Sequence, residues 1–316
     1  MRLVFVGSTR FGLRCLELAL RIPEVSVVGI VTAPETFRIS YAPGEVRNVL
    51  HVDFAPASAR CGAPVEVMRQ GALDPGLLGK LREWKPQAFL VVGWYHMIPR
   101  SWREMAPAYG LHASLLPDYS GGAPLVWAMI NGESRTGITL FQMDDGVDSG
   151  PIVAQLEEPI LGNDTIASLY SRVEQRGLEL LDRALPELAS GKCELSPQAT
   201  GMRRVMPQRS PSDGLIDWTW DSTYIDRWIR AQTRPYPGAF TVIKGQRLII
   251  WRAAVCTDPR LGKPGMFAAD PSGVCRVQCG TGGLLVLEAD WADQTGSMIT
   301  GDLFRHVGNF DSGGRA

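Results

Sequence analysis

Leu3-Val4-Phe5-Val6-Gly7-Ser8-Thr9 is the stretch on which the fold turns. Four apolar residues in a row, closed by Gly-Ser-Thr, predict a strand buried on both faces that runs directly into a helix. Phe11 to Leu20 then carries apolar residues at helical spacing, and Val25 to Val31 is the next strand. Leu77 to Trp84 reads as a helix stopped before Pro86, and Ala88 to Val92 as another buried strand. This alternation predicts an α/β architecture: a doubly wound, mostly parallel sheet with ligands at the carboxyl ends of its strands. The spacing Gly7-x4-Gly12 is neither a dinucleotide fingerprint nor a phosphate loop with its lysine, so it reads as a tight turn.

Further along, Asn163-Asp164-Thr165 precedes an amphipathic stretch, Ile166 to Ala189, with Asp164 or Thr165 as helix cap. From Gly191 to about Pro211 the chain turns polar and turn-rich. Beyond it the period changes. A helix around Tyr224 to Gln232 gives way to short strands at Ala239 to Ile243, Arg247 to Ala253, Val274 to Gln278 and Leu284 to Glu288, with a Lys244-Gly245 turn. That series predicts a small C-terminal β-barrel. The expected division is therefore an α/β domain over 1–190, a linker over 191–211, a β-barrel over 212–307 and a tail over 308–316.

The 316 residues suit two domains, and 45% hydrophobic with 21% charged residues fits a globular chain rather than a disordered one. A net charge of −1 supplies no overall basic field for nucleic acid, although one local patch would suffice. The six cysteines are scattered, and the close pair Cys275-x-x-x-Cys279 lacks the spacing and histidines of a zinc site, so no metal is expected. The first residues do not read as a signal peptide, and no apolar run reaches bilayer length. Cytoplasmic localisation with free thiols is the expectation, with no membrane partner.

The chemistry concentrates between Tyr109 and Gly150. Gly110-Leu111-His112-Ala113-Ser114-Leu115-Leu116-Pro117 is followed by Gln142-Met143-Asp144-Asp145-Gly146-Val147-Asp148-Ser149-Gly150. A His and an Asp offered from two turn-rich loops suit proton handling at neutral pH; a histidine that caps a helix or fills the core is the alternative. Nearby, Gly121-Gly122-Ala123-Pro124 opens a helix with Pro near its first position, Trp127 falls at a core-like spacing, and Asn131-Gly132 looks like its end.

His-x-Ser-Leu-Leu-Pro followed by Gln-Met-Asp-x-Gly-x-Asp-x-Gly resembles the folate-dependent formyltransferase family, which includes methionyl-tRNA and amino-sugar N-formyltransferases. Val4 to Gly7, Val91 to Pro99 and Arg234-Pro-Tyr-Pro-Gly-Ala-Phe240 extend the resemblance in the family's order. It implies an oligonucleotide-binding-like C-terminal domain and transfer of a formyl group from 10-formyltetrahydrofolate to a primary amine. An Asn-x-His pair and a distant Asp share the catalysis in this family. His112 and Asp148 match two of them: His112 takes acid/base and oxyanion duty, while Asp148 orients the ring and helps move protons from the incoming ammonium. The third position is Gly110, which departs from the family's Asn; a glycine lets a backbone N–H or a water come close in place of the amide. By the same resemblance, the folate site is lined by Trp94, Met97 and Ile98 from one loop, by Ser114, Leu115, Leu116 and Pro117, and by Asp144 and Gly146. His96 has no matched role and reads as a bystander.

For the acceptor, the stretch Thr32 to Asp53 sets Arg38 and Arg47 against Glu35 and Glu45, which offers little to a phosphate backbone. Gly121-Gly-Ala-Pro-Leu-Val-Trp-Ala and Pro237-Gly-Ala-Phe look like the small-molecule members. An amino sugar on a nucleotide carrier is therefore the first expectation. Methionyl-tRNA, disfavoured by charge, and a weakly active or non-catalytic folate-binding relative, motivated by Gly110, are the alternatives. Aromatic patches in the second domain could pair two chains as a homodimer.

Overall fold

A computed structural model describes residues 1–38, 45–199, 201, 203–257, 259–269 and 274–292. The expected tail over 308–316 lies outside them. Contacts divide the chain into two compact units: Met1–Pro124 with Arg135–Pro159 and Ser171–Met206, and Leu125–Ser134 with Ile160–Tyr170 and Pro207–Ala316.

In chain order the elements are β1 (Arg2–Gly7), α1 (Arg10–Ala19), β2 (Ser26–Thr32), β3 (Thr36–Arg38), β4 (Glu45–Arg47), α2 (Ala55–Cys61), β5 (Val65–Val67), α3 (Pro75–Trp84), β6 (Ala88–Val92), α4 (Arg100–Arg103), β7 (Ala108–His112) and β8 (Ser120–Gly121). There follow α5 (Pro124–Ile130), β9 (Arg135–Gln142), β10 (Ile152–Pro159), α6 (Ile166–Ala189), β11 (Val205–Met206), α7 (Ser222–Gln232), β12 (Ala239–Ile243), β13 (Gln246–Cys256), β14 (Phe267–Ala269), β15 (Cys275–Gln278) and β16 (Gly283–Trp291).

The first unit is built on a seven-stranded sheet of order β10-β9-β7-β6-β1-β2-β5. The pairs β1–β2, β1–β6, β6–β7 and β2–β5 are parallel, whereas β9 runs antiparallel to both β7 and β10. The central strands are apolar runs because both faces are covered: all of β6, and β1 from Leu3 onward, are buried. Beneath them Val4, Val6, Val31, Phe89, Val91, Leu77, Leu81 and Trp102 form one core, in which a side chain as large as Phe89 contributes about 1.5–3 kcal/mol on burial.

Local chemistry sets the helix ends. Thr9 accepts from Gly12 N and caps α1. The helix expected from Leu77 starts two residues earlier, because Asp74 caps it and Pro75 occupies its first turn. Thr165 and Ser168 bond reciprocally at the start of α6. Later in α6, Arg172 and Arg176 hold the buried Glu158 carboxylate at 2.6 and 2.9 Å, tying the helix to edge strand β10.

In the second unit, the strands expected as a barrel form one five-stranded antiparallel sheet, β12-β13-β16-β15-β14. Trp218 Nε1 donates to Thr241 Oγ1, and Trp228 Nε1 to Gly214 O. Trp127 is half-buried rather than fully in the core; its Nε1 donates to Pro207 O, and the Arg209 guanidinium lies 4.7 Å from both its ring and that of Trp228. Asn131 and Gly132 end α5 as expected, with Gly132 at φ 73°. Among the described residues no helix is long and apolar enough to cross a membrane, and the six cysteines are free thiols.

Candidate active site

β7 ends at His112, so the histidine belongs to a strand rather than a loop, paired with Thr139 of β9 just beyond the Val91–Gly110 pair with β6. Side chains two residues apart on a strand share a face, which puts Gly110 and His112 on one side of the sheet. Asp148 comes from the loop between β9 and β10, in the left-handed region at φ 51°. Its Oδ2 stands 3.5 Å from His112 Nδ1 and accepts from Gly121 N at 2.8 Å. The two side chains retain only 11% and 20% of their exposure.

The other face of the imidazole fixes its tautomer. His112 Nε2 lies 2.8 Å from Tyr119 O, and a carbonyl can only accept, so Nε2 carries the hydrogen. Nδ1 is then the ring position free to take a proton, and it faces the Asp148 carboxylate. A proton arriving there converts the 3.5 Å contact into an ion pair. The segment supplying Tyr119 O and Gly121 N has unusual backbone: Tyr119, Gly121 and Ala123 all have positive φ. Strand β11 braces it through the pairs Ser120–Val205 and Gly121–Met206, and Arg204 both pairs with Asp118 and covers the Tyr119 ring.

The Ser114–Pro117 loop is held from below. Ser114 N bonds His112 O, its hydroxyl donates to Asp118 O, and Thr139 Oγ1 donates to Ser114 O and accepts from Leu116 N. Gln155 Nε2 adds a bond to Leu116 O at 2.8 Å. Ser114 and Leu116 are thus buried and internally satisfied, while Leu115 packs against Gly137 of β9. These residues shape the loop; Pro117, half-buried, is less enclosed.

The loop after β6 divides similarly. Ile98 is buried in the core, Trp94 and Met143 each pack against that core, and Met97 is 55% exposed. Trp94 Nε1 and His96 Nε2 are buried without a hydrogen-bond partner among the described residues. Burial pushes the His96 imidazole below its ordinary pKa, which keeps the ring neutral between Phe37 and Trp94. Asp144 accepts from Gly146 N and Ser149 Oγ in a tight turn, with Gly146 exposed.

Two groups were not legible as site residues. Arg103 of α4 donates to Ile98 O and to the Asp145 carboxylate, joining the 94–98 loop to the 144–146 loop. The Arg103 guanidinium holds the Asp145 carboxyl below its ordinary pKa. Gln198, beyond α6, bonds the backbone of the Asp148 loop. Met143 also takes on meaning: a Cβ built on Gly110 would stand 2.5 Å from Met143 Cε.

The fold is of the doubly wound class, with His112 and Asp148 together at the carboxyl edge of a mostly parallel sheet, where enzymes of that class bind their ligands. The Formyl transferase family matches residues 2–185, and the Formyl transferase C-terminal domain matches residues 209–300. The chain is 33% identical over 291 residues to a methionyl-tRNA formyltransferase of Citrifermentans bemidjiense, covering 91% of this chain and 88% of that one. Among solved structures, an N-formyltransferase from Helicobacter canadensis, in complex with folinic acid and dTDP-3-aminofucose, superposes with TM-score 0.66 at 17% identity, covering 92% of this chain and all of that one. HypX from Aquifex aeolicus, in complex with tetrahydrofolic acid, gives TM-score 0.62 at 20% identity; 95% of this chain spans 46% of that longer one. The chain belongs to the formyl transferase family, and its activity is formyl transfer with 10-formyltetrahydrofolate as donor.

Proposed function

We propose that the chain formylates a primary amine through His112 and Asp148, with the amine of a methionyl-tRNA as the first acceptor to test. The observation that carries the chemistry is the tautomer of His112: Nε2 is committed to Tyr119 O and Nδ1 faces Asp148 at 3.5 Å. When bound, the donor supplies the formyl group on a folate nitrogen. As the acceptor nitrogen bonds to the formyl carbon, it loses a proton to Nδ1, and Asp148 stabilises the imidazolium. The same proton is then available to the folate nitrogen as its bond to carbon breaks, so protons balance. Such a placed base contributes ~10²–10⁴-fold.

Trp94, Met97, Ile98, Ser114, Leu115, Leu116, Pro117, Asp144 and Gly146 form our candidate donor site, with Ile98, Ser114 and Leu116 acting from beneath. The unmet Trp94 Nε1 and His96 Nε2 in an otherwise apolar wall suit a flat heteroaromatic with a polar edge. We keep 1–190 as the catalytic domain, 191–211 as linker and 212–307 as the second domain.

The acceptor reading follows the curated relatives, which carry the methionyl-tRNA name at 30–33% identity. One observation favours a small-molecule amine such as an amino sugar instead. In the hairpin after β2, Arg47 is engaged by Glu35 at 2.8 Å, which leaves less cationic charge for phosphates. Incubation with 10-formyltetrahydrofolate and a panel of methionyl-tRNA, amino-sugar nucleotides and free amino acids, read by mass spectrometry, separates these. A formyl mass gain on methionyl-tRNA, absent with His112→Ala, supports the first reading; a gain on sugars alone supports the second. Folate binding with no gain on any amine supports a non-catalytic relative.

A further inference from the structure

Gln198 lies in the polar stretch that composition marks as a linker. Its Nε2 meets two backbone carbonyls, Asp148 O at 2.9 Å and Gly150 O at 2.7 Å. Both neighbours only accept, so the amide nitrogen must face them. Its Oε1 is left buried with no partner among the described residues, so the side chain is held for its donors.

The turn that Asp144 makes with Gly146 and Ser149 leaves the carbonyls of Val147, Asp148 and Gly150 to partners from another segment. Asp148 adopts φ 51°, in the left-handed region that aspartate enters more readily than most residues with a Cβ but at some cost. From the same stretch, Arg203 donates to Val147 O and to Ser120 Oγ. The carbonyls of Val147, Asp148 and Gly150 are therefore all held by side chains of one neighbouring segment. A release of that grip would let the Asp148 backbone shift, with its carboxylate then held in place by Gly121 N at 2.8 Å and no longer from both sides.

We propose that Gln198 is a positioning residue for formyl transfer. It clamps the carbonyls on both sides of Ser149 and so keeps the Asp148 carboxylate against His112 Nδ1. The proposal rests on the assignment of His112 and Asp148 to proton transfer.

The test uses the full chain labelled with ¹⁵N-histidine, which is readable because the sequence has four histidines. Wild type, Gln198→Leu, Gln198→Glu and Asp148→Asn would be compared for melting temperature, His112 ring nitrogen shifts across pH, and transfer kinetics. Gln198→Leu keeps bulk but has no donor. It should remain folded, lose about 10- to 100-fold in kcat with little change in KM for the donor, and move the His112 resonances toward those of Asp148→Asn. Gln198→Glu brings a third acceptor against two carbonyls. Its activity should rise as pH falls, because protonation restores one donor, a trend wild type lacks. A folded Gln198→Leu with wild-type His112 resonances and kcat would overturn the proposal, as would a wild-type pH profile in Gln198→Glu. Should Gln198→Leu fail to fold, the Gln198→Glu profile decides. Should wild type formylate none of the amines, the functional reading fails on its own, and the His112 resonances still decide the role of Gln198.

Discussion

Met143 Cε occupies the space that a side chain on Gly110 would enter, 2.5 Å from where its Cβ would begin. Phe141 closes the same space at 3.1 Å. The glycine and the methionine are therefore a matched pair on the face that carries His112. The obstructing atom is the end of a flexible side chain, so Gly110→Ala should cost only about 1 kcal/mol, near the low end for overpacking. Gly110→Asn should gain transfer activity only when combined with Met143→Ala, which clears room for the amide beside His112. Steady-state kinetics of the single and double variants check this; equal activity in both would show that Met143 does not fill the amide's place.

His112 and Asp148 form a unit, and their losses should not add. Each of His112→Ala and Asp148→Asn is expected to lower kcat by ~10²–10⁴-fold, with donor binding retained. The double variant should be little worse than His112→Ala, because Asp148 acts through the ring. Rapid-quench transfer assays on the acceptor that proves competent measure this. Multiplicative losses would mean that Asp148 works independently of His112.

Arg103 links the two loops assigned to the donor by bonding Ile98 O and Asp145. The aspartate is exposed, so the ion pair is screened and its effect modest. Arg103→Ala and Asp145→Ala should each weaken tetrahydrofolate binding about 3- to 5-fold, and high salt should erase the difference for Asp145→Ala first. Calorimetric titration at two ionic strengths tests it. An Asp145→Ala variant as tight as wild type at low salt would remove the bridge from the binding argument.

What the sequence shows and hides follows from where information resides. The strands around Leu3–Val6 and Ala88–Val92 were legible because burial on both faces leaves unbroken apolar runs. Strand β10 was not: at the sheet edge, Gln155, Glu157 and Glu158 interrupt its pattern, and only contacts with β9 and α6 explain them. At the site, His112 and Asp148 stood out by side-chain chemistry. Their closest partners, Tyr119 O and Gly121 N, are backbone atoms that no residue type reveals. Leu116 and Ile98 line the folate site only by the family resemblance; composition does not show that Thr139 and Gln155 bond the Leu116 backbone or that Ile98 joins the core under β6. Gln198 acts fifty residues from Asp148, from a stretch whose polar composition argued only for a linker.

Alkaline pH should loosen the second unit. Burial pushes the Cys275 thiol up to about 12, and burial, reinforced by the charges of Cys256 and Asp221, does the same for Cys279. An ordinary thiol titrates near 9.0. Between these values the folded chain keeps protons that the unfolded chain has lost. The unfolded state binds fewer protons, so stability is full below the unfolded value and falls as pH rises above it. The slope approaches about 1.4 kcal/mol per pH unit for each thiol. Urea unfolding followed by tryptophan fluorescence at pH 8, 9 and 10 should show this decline, and Cys275→Ala with Cys279→Ala should flatten it despite lower stability at pH 8. Parallel declines in wild type and the double variant would assign the alkaline loss to other groups.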